Sequence, residues 1–110
     1  MKKNIIKYSH KIKLSVIAKK LDLSKSKTLF VVSSKNELIG VITDGDLRRS
    51  IISHNDLKIN LNEVMHKSPL SIDESSSYEK IMFLFHNYSL KAIPIINKKK
   101  IIKRIIHLAD

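Results

Sequence analysis

Thr28-Leu29-Phe30-Val31-Val32-Ser33-Ser34-Lys35-Asn36-Glu37-Leu38-Ile39-Gly40-Val41-Ile42-Thr43-Asp44-Gly45-Asp46 lies without a gap over Ala92-Ile93-Pro94-Ile95-Ile96-Asn97-Lys98-Lys99-Lys100-Ile101-Ile102-Lys103-Arg104-Ile105-Ile106-His107-Leu108-Ala109-Asp110. The offset is 64 positions. Apolar falls on apolar at Leu29/Ile93, Val31/Ile95, Val32/Ile96, Leu38/Ile102, Val41/Ile105 and Ile42/Ile106. The polar stretch 33–36 falls on 97–100, and both blocks end in aspartate. A fixed internal period of this kind marks a duplicated structural unit.

Upstream, the same offset carries Leu14, Ile17, Ala18 and Leu21 onto Tyr78, Ile81, Met82 and Phe85. Spacings of i, i+3, i+4 and i+7 place these residues on one stripe of an amphipathic helix. The apolar runs 29–32, 38–42, 93–96 and 101–106 are short and rich in β-branched residues, which suits strands covered by the core. Each half therefore reads as helix, strand, polar turn, strand. The triplet Ser75-Ser76-Ser77 precedes the second-half helix over 78–88, with Glu79 spaced for a capping box against Ser76. In the first half, Asp44-Gly45-Asp46 ends the strand and opens a further helix through Ile52.

A chain of 110 residues supports one compact domain rather than two independent ones. The expected fold is α/β: two pseudo-twofold-related modules, each a small sheet plus helices, sharing one hydrophobic interior. Their boundaries are expected at 1–56 and 57–110, joined by the polar connector 55–62. The helix after Asp46 has no counterpart in the second half, so the second module is expected to be short or cut from a longer chain.

Composition removes several classes of function. No cysteine is present, which excludes disulfides and thiolate metal sites and suits a reducing cytoplasm. No stretch approaches the roughly 20 apolar residues of a membrane span. The net charge of +11 comes mostly from dispersed lysines, without an arginine-rich helix or interleaved aromatic platform. That argues against nucleic-acid binding and leaves a basic polyanion-binding module as a minor alternative. The five histidines show no paired metal-ligand spacing, and the two glycines, Gly40 and Gly45, build neither a P-loop nor a dinucleotide fingerprint. Asp44-x-Asp46 reads as turn chemistry rather than a metal site. No constellation for catalysis is evident, so the chain by itself reads as a non-enzyme.

The stretch Leu38-Ile39-Gly40-Val41-Ile42-Thr43-Asp44-Gly45-Asp46-Leu47-Arg48-Arg49 resembles the strand-to-helix signature of CBS (cystathionine-β-synthase) modules. Val64-Met65-His66-Lys67-Ser68-Pro69-Leu70-Ser71-Ile72 resembles the linker and opening strand of the second module of such a pair, and Ala92-Ile93-Pro94-Ile95-Ile96-Asn97 its next strand. The string from Thr43 to Arg49 is similar to CBS pairs fused to bacterial sugar nucleotidyltransferases or sugar-phosphate isomerases, and the N-terminal arrangement of the former fits better.

The resemblance implies a regulatory unit with a cleft between its modules for AMP, ADP, ATP or S-adenosylmethionine, and no required cofactor. By the same resemblance Asp46 takes the ribose hydroxyls and Thr43 positions ribose or phosphate. Arg48, Arg49, Lys27 and Lys91 stand near the phosphates, with Thr28 beside them, and Leu70, Leu90 and Ile93 edge the adenine pocket. A second, weaker site would use His107 and Asp110, with Arg104 in the place of Gly40. The implied partners are a nucleotide, a second copy in a homodimer, and a fused or separate catalytic domain. The alternative reading is a ligand-free dimerisation scaffold.

Overall fold

The computed structural model describes residues 1–54 and 58–108. Its strands are β1 (Ile5–Lys7), β2 (Ile12–Lys13), β3 (Thr28–Val32), β4 (Leu38–Thr43), β5 (Lys58–Ile59), β6 (His66–Lys67), β7 (Ile72–Asp73), β8 (Ala92–Ile96) and β9 (Ile102–His107). Its helices are α1 (Leu14–Leu23), α2 (Asp44–His54) and α3 (Tyr78–Asn87). The first module carries the sheet β1-β3-β4-β6 and the second the sheet β7-β8-β9, while β2 and β5 form a separate pair.

The duplication extends to the backbone. In β3–β4, Thr28 pairs with Thr43 and the register slips between Val31 and Val32; in β8–β9, Ala92 pairs with His107 and the slip falls between Ile95 and Ile96. The extra residues are Ile39 and Lys103, again 64 apart. Both hairpin turns place one residue in the left-handed region, Asn36 at φ 66° and Lys100 at φ 64°. Ser33 Oγ accepts from the amides of Lys35 and Glu37, and Asn97 Oδ1 accepts from those of Lys99 and Ile101. Two different side chains thus close the same turn, because each is short and carries an oxygen that can accept from nearby backbone amides.

Alternation along β3 explains why its apolar run is unbroken. Leu29 and Val31 face a cluster with Leu14, Ile17 and Leu21 of α1, while Phe30 and Val32 face a second cluster containing Ala92 and Ile102 of the other module. Both faces of the sheet are therefore covered. A third cluster joins Ile72, Leu84 and Ile93 within the second module. The single shared interior expected from the repeat is thus three clusters, of which the middle one holds the modules together. An antiparallel bridge between Glu37 and Ile101, with the Leu38 amide donating to Lys100 O at 2.9 Å, ties the two hairpins directly.

The connector 55–62 is more than a polar linker. Residues 55–57 lie outside the described residues, but β5 pairs with β2 and buries Ile59, and Leu61 is fully buried. β6 then pairs with β4 of the first module (Gly40 with Lys67, Val41 with His66), so the segment beginning at Val64 completes the first sheet before β7 opens the second. Gly40 permits that approach: a Cβ there would stand 2.6 Å from Met65 Sδ and 3.3 Å from His66 O. β9 is an edge strand with no such neighbour among the described residues, and its exposed Arg104 stands at the matching position without obstruction.

α3 departs from the expected stripe. Tyr78 is 71% exposed, Leu84 is the buried residue, and only Ile81 and Phe85 of the predicted set pack beside it. α1, its counterpart, packs against both the first sheet and α2 and buries Leu14, Ile17 and Leu21. The helix cap is also one residue later than expected: Ser77 Oγ accepts from the Lys80 amide, at 3.3 Å. Ser76 is taken by the preceding turn, where its amide donates to Asp73 O.

In that turn Asp73 Oδ1 accepts from Ser75 Oγ at 2.6 Å and from the Ser75 amide at 2.9 Å. The serine hydroxyl first, then the amide, with Lys98 and Lys80 adding smaller attraction, hold the Asp73 carboxyl below its ordinary value of 3.8. A depressed carboxylate contributes stability that is present above its unfolded value and is lost as pH falls through the folded one. The Ser75 amide resonance is therefore expected to titrate with a midpoint below 3.8. A midpoint at or above that value would mean the turn does not hold in solution.

Candidate functional site between the modules

A cavity of about 380 Å³ opens where the modules meet. The first module supplies Lys27, Thr28, Phe30 and Val41, then Thr43, Asp44 and Gly45 at the start of α2, and Arg48 one turn further along it. The second supplies Pro69 and Leu70 from the linker, and Ser89, Leu90, Lys91 and Ala92 from the approach to β8. Phe30, Val41, Leu70, Leu90 and Ala92 give apolar surface suited to a flat ring, and the rim carries three cations against one carboxylate. This volume falls in the range of small-molecule sites, which pair apolar walls with a few polar groups.

Most of the residues implied by the signature come together here: Lys27, Thr28, Thr43, Arg48, Leu70, Leu90 and Lys91. Ile93 does not; it is fully buried in the cluster with Ile72 and Leu84, because its side chain faces away from the one Ala92 presents. Asp46 and Arg49 border a separate depression with Ser50 and Glu63. The Asp46 carboxylate turns back on Thr43, accepting from its amide at 2.9 Å and its hydroxyl at 3.1 Å, and Arg49 Nη2 donates to it at 2.6 Å. This is the returning half of a capping box, with an aspartate three residues beyond Thr43. Asp44 stands on the cavity wall instead. The sequence also left out Phe30, Val41, Gly45, Pro69, Ser89 and Ala92, whose positions depend on the inter-module packing.

The two aspartates therefore have different surroundings, Asp46 bonded to Thr43 and Arg49 and Asp44 on the cavity wall. Asp46→Ala is expected to lower the melting point of the ligand-free protein, since losing such a cap costs about 1 kcal/mol. Asp44→Ala, at an exposed position with no side-chain hydrogen bond to the described residues, is expected to leave melting near the original value. Thermal unfolding of the two variants side by side checks this, and equal melting points would refute the assignment.

Pseudo-symmetry puts a second depression of about 800 Å³, broad and open, beside Ile105 and His107, the counterparts of Val41 and Thr43. His107 is buried, and its Nδ1 lies 2.7 Å from Ser26 Oγ of the first module. An imidazole thus occupies the place of the Thr43 hydroxyl and is already engaged. Asn4 reinforces this side by donating to Lys25 O and Thr28 O, bracing a segment in which Ser26 and Lys27 have φ of 63° and 48°. Asp110, expected here, lies outside the described residues. Among the described residues no group of three or more histidines or carboxylates is placed to hold a metal ion, and no helix is long and apolar enough to cross a membrane.

Residues 1–53, and again residues 61–110, match the CBS domain. The chain is a tandem CBS domain pair. CBS pairs are regulatory ligand-binding modules rather than catalytic ones. Among solved structures, CBSX2 in complex with AMP superposes with a TM-score of 0.75 at 20% identity, covering 96% of this chain and 81% of that one. The CBS domain pair of protein MJ0100, in complex with 5′-methylthioadenosine and S-adenosyl-L-methionine, gives 0.72 at 18% identity, covering 93% and 80%. Inosine-5′-monophosphate dehydrogenase of Helicobacter pylori is 32% identical over 87 residues, or 73% of this chain and 16% of that enzyme. An uncharacterised protein of Rickettsia prowazekii, RP505, is 36% identical over 80 residues, 73% of this chain and 24% of that protein. The CBS pair thus spans a minor part of the length of these curated relatives.

Proposed function

We propose that this CBS pair senses an adenine nucleotide or a related adenosyl ligand in the inter-module cavity. The observation that carries the reading is that both modules build the wall, the first with Thr43, Asp44 and Arg48 and the second with Leu70, Leu90 and Lys91. A ligand there touches both halves at once, so its affinity differs between module arrangements, which is the requirement for passing on a signal. The AMP and S-adenosylmethionine complexes of similarly folded pairs support the ligand class. Thr43 and Asp44 are suited to ribose hydroxyls, since a hydroxyl and a carboxylate can accept from neighbouring donors, and Asp46 holds that turn in place from behind.

The regulated activity belongs to a catalytic domain, fused or separate. The similarity of Thr43-Asp44-Gly45-Asp46-Leu47-Arg48-Arg49 to pairs attached to sugar nucleotidyltransferases and sugar-phosphate isomerases supports an enzyme of that kind in the cytoplasm. Tyr78 and Phe83, 71% and 59% exposed on α3, support association of two copies through this helix. The test is thermal melting with AMP, ADP, ATP and S-adenosylmethionine. A flat panel, together with a melting point that rises with protein concentration, would instead identify a ligand-free dimerisation scaffold.

A further inference from the structure

Of the three cations on the cavity rim, one is already committed. Lys27 Nζ donates to Asp22 O at 2.7 Å and lies 3.3 Å from Asp22 Oδ1. Arg48 and Lys91 are both exposed, and neither side chain has a hydrogen bond or ion pair among the described residues. They come from opposite modules, Arg48 from α2 and Lys91 from the residue before β8. Each therefore offers its charge to the cavity mouth with no partner among the described residues to displace.

From this arrangement we infer that the cavity selects a nucleoside di- or triphosphate over a monophosphate or a neutral or cationic adenosyl compound, with Arg48 and Lys91 closing on the polyphosphate from the two modules. The inference rests on the reading of the cavity as an adenosyl-ligand site. A guanidinium can engage two phosphate oxygens side by side, while an ammonium acts as a point charge that follows a flexible anion. A chain of two or three phosphates brings more charge and a longer reach to two cations on opposite modules than a single phosphate does. An adenosyl sulfonium adds a positive charge to a rim that already carries three cations and one carboxylate. Because the phosphate chain would bridge the halves, its length, rather than the adenine, would set how firmly the modules are held.

Isothermal titration calorimetry of the purified chain with ATP, ADP, AMP, S-adenosylmethionine and tripolyphosphate tests this, at low and at moderate salt. ATP and ADP are expected to bind at least about tenfold more tightly than AMP, with a gap that narrows as salt rises. Arg48→Ala and Lys91→Ala should each shrink that ratio towards one; both side chains are exposed, so melting curves serve as the check that the variants fold. Equal or tighter binding of AMP or S-adenosylmethionine would overturn the inference and leave the adenosyl site intact. Tripolyphosphate binding that depends on Arg48 and Lys91, without binding of any adenosyl compound, would uphold the clamp and overturn the adenosyl reading. No binding by any of the five would overturn both.

Discussion

Replacing Phe30 by alanine is expected to destabilise the protein by about 3–5 kcal/mol, the cost of truncating a buried aromatic side chain. Phe30 is 2% exposed and packs with Val32, Leu38, Ala92 and Ile102, the cluster that joins the modules. Its neighbours Leu29 and Val31 face the first module's own core, so the substitution strikes the junction selectively. A domain of this size has a total stability of about 5–15 kcal/mol, so the variant stands near the edge of folding. One face of Phe30 borders the inter-module cavity, and water entering there places the loss towards the lower end of the range. Phe30→Leu keeps most of the volume and is expected to cost less than about 1.5 kcal/mol. Urea unfolding of both variants measures the difference. A loss below about 1 kcal/mol for the alanine variant would mean the junction contributes little and the modules stand by themselves.

Saturating nucleotide is expected to raise the melting temperature on the order of 10 °C. A ligand at 100 times its dissociation constant, binding only the folded state, stabilises by about 2.7 kcal/mol. For a domain of roughly 100 residues each kcal/mol moves melting by about 4 °C or more. The proposed ligand site draws residues from both modules, so unfolding removes it and binding is confined to the folded state, as that relation requires. Leu90→Arg, which places a charge in the apolar part of the wall, is expected to abolish the shift. A shift retained in that variant would place the ligand elsewhere on the molecule.

Much of the architecture was legible in the residues because the repeat supplies two readings of one unit. The two hairpins, β3–β4 and β8–β9, were visible as apolar runs separated by 64 positions, and the helices within a residue or two, whereas β1 and β2 were not legible. Periodicity failed at α3, where a stripe equivalent to that of α1 leaves Tyr78 in solvent. Spacing records which residues share a helix face but not how closely a sheet approaches it. The cap at Ser77 in place of Ser76 has a similar origin: three consecutive serines offer the same hydroxyl, and the point at which the backbone leaves the Asp73 turn selects the cap. β5 and β6 were hidden because each is two residues long and takes its partner from far away in sequence.

The candidate site divides along the same line. Thr43, Arg48 and Lys91 were named from the signature and the alignment, since each sits beside a strand end whose position the repeat determines. The sequence by itself determined the duplicated α/β unit, the CBS signature at the start of α2, and the absence of cysteine chemistry. Only the tertiary structure decided that Asp44 faces the cavity while Asp46 turns back to Thr43, and that Ile93 is core. The physical reason is that a motif specifies the order of side chains along the backbone. Helix capping and the packing of one module on the other then determine which of them reach the shared space.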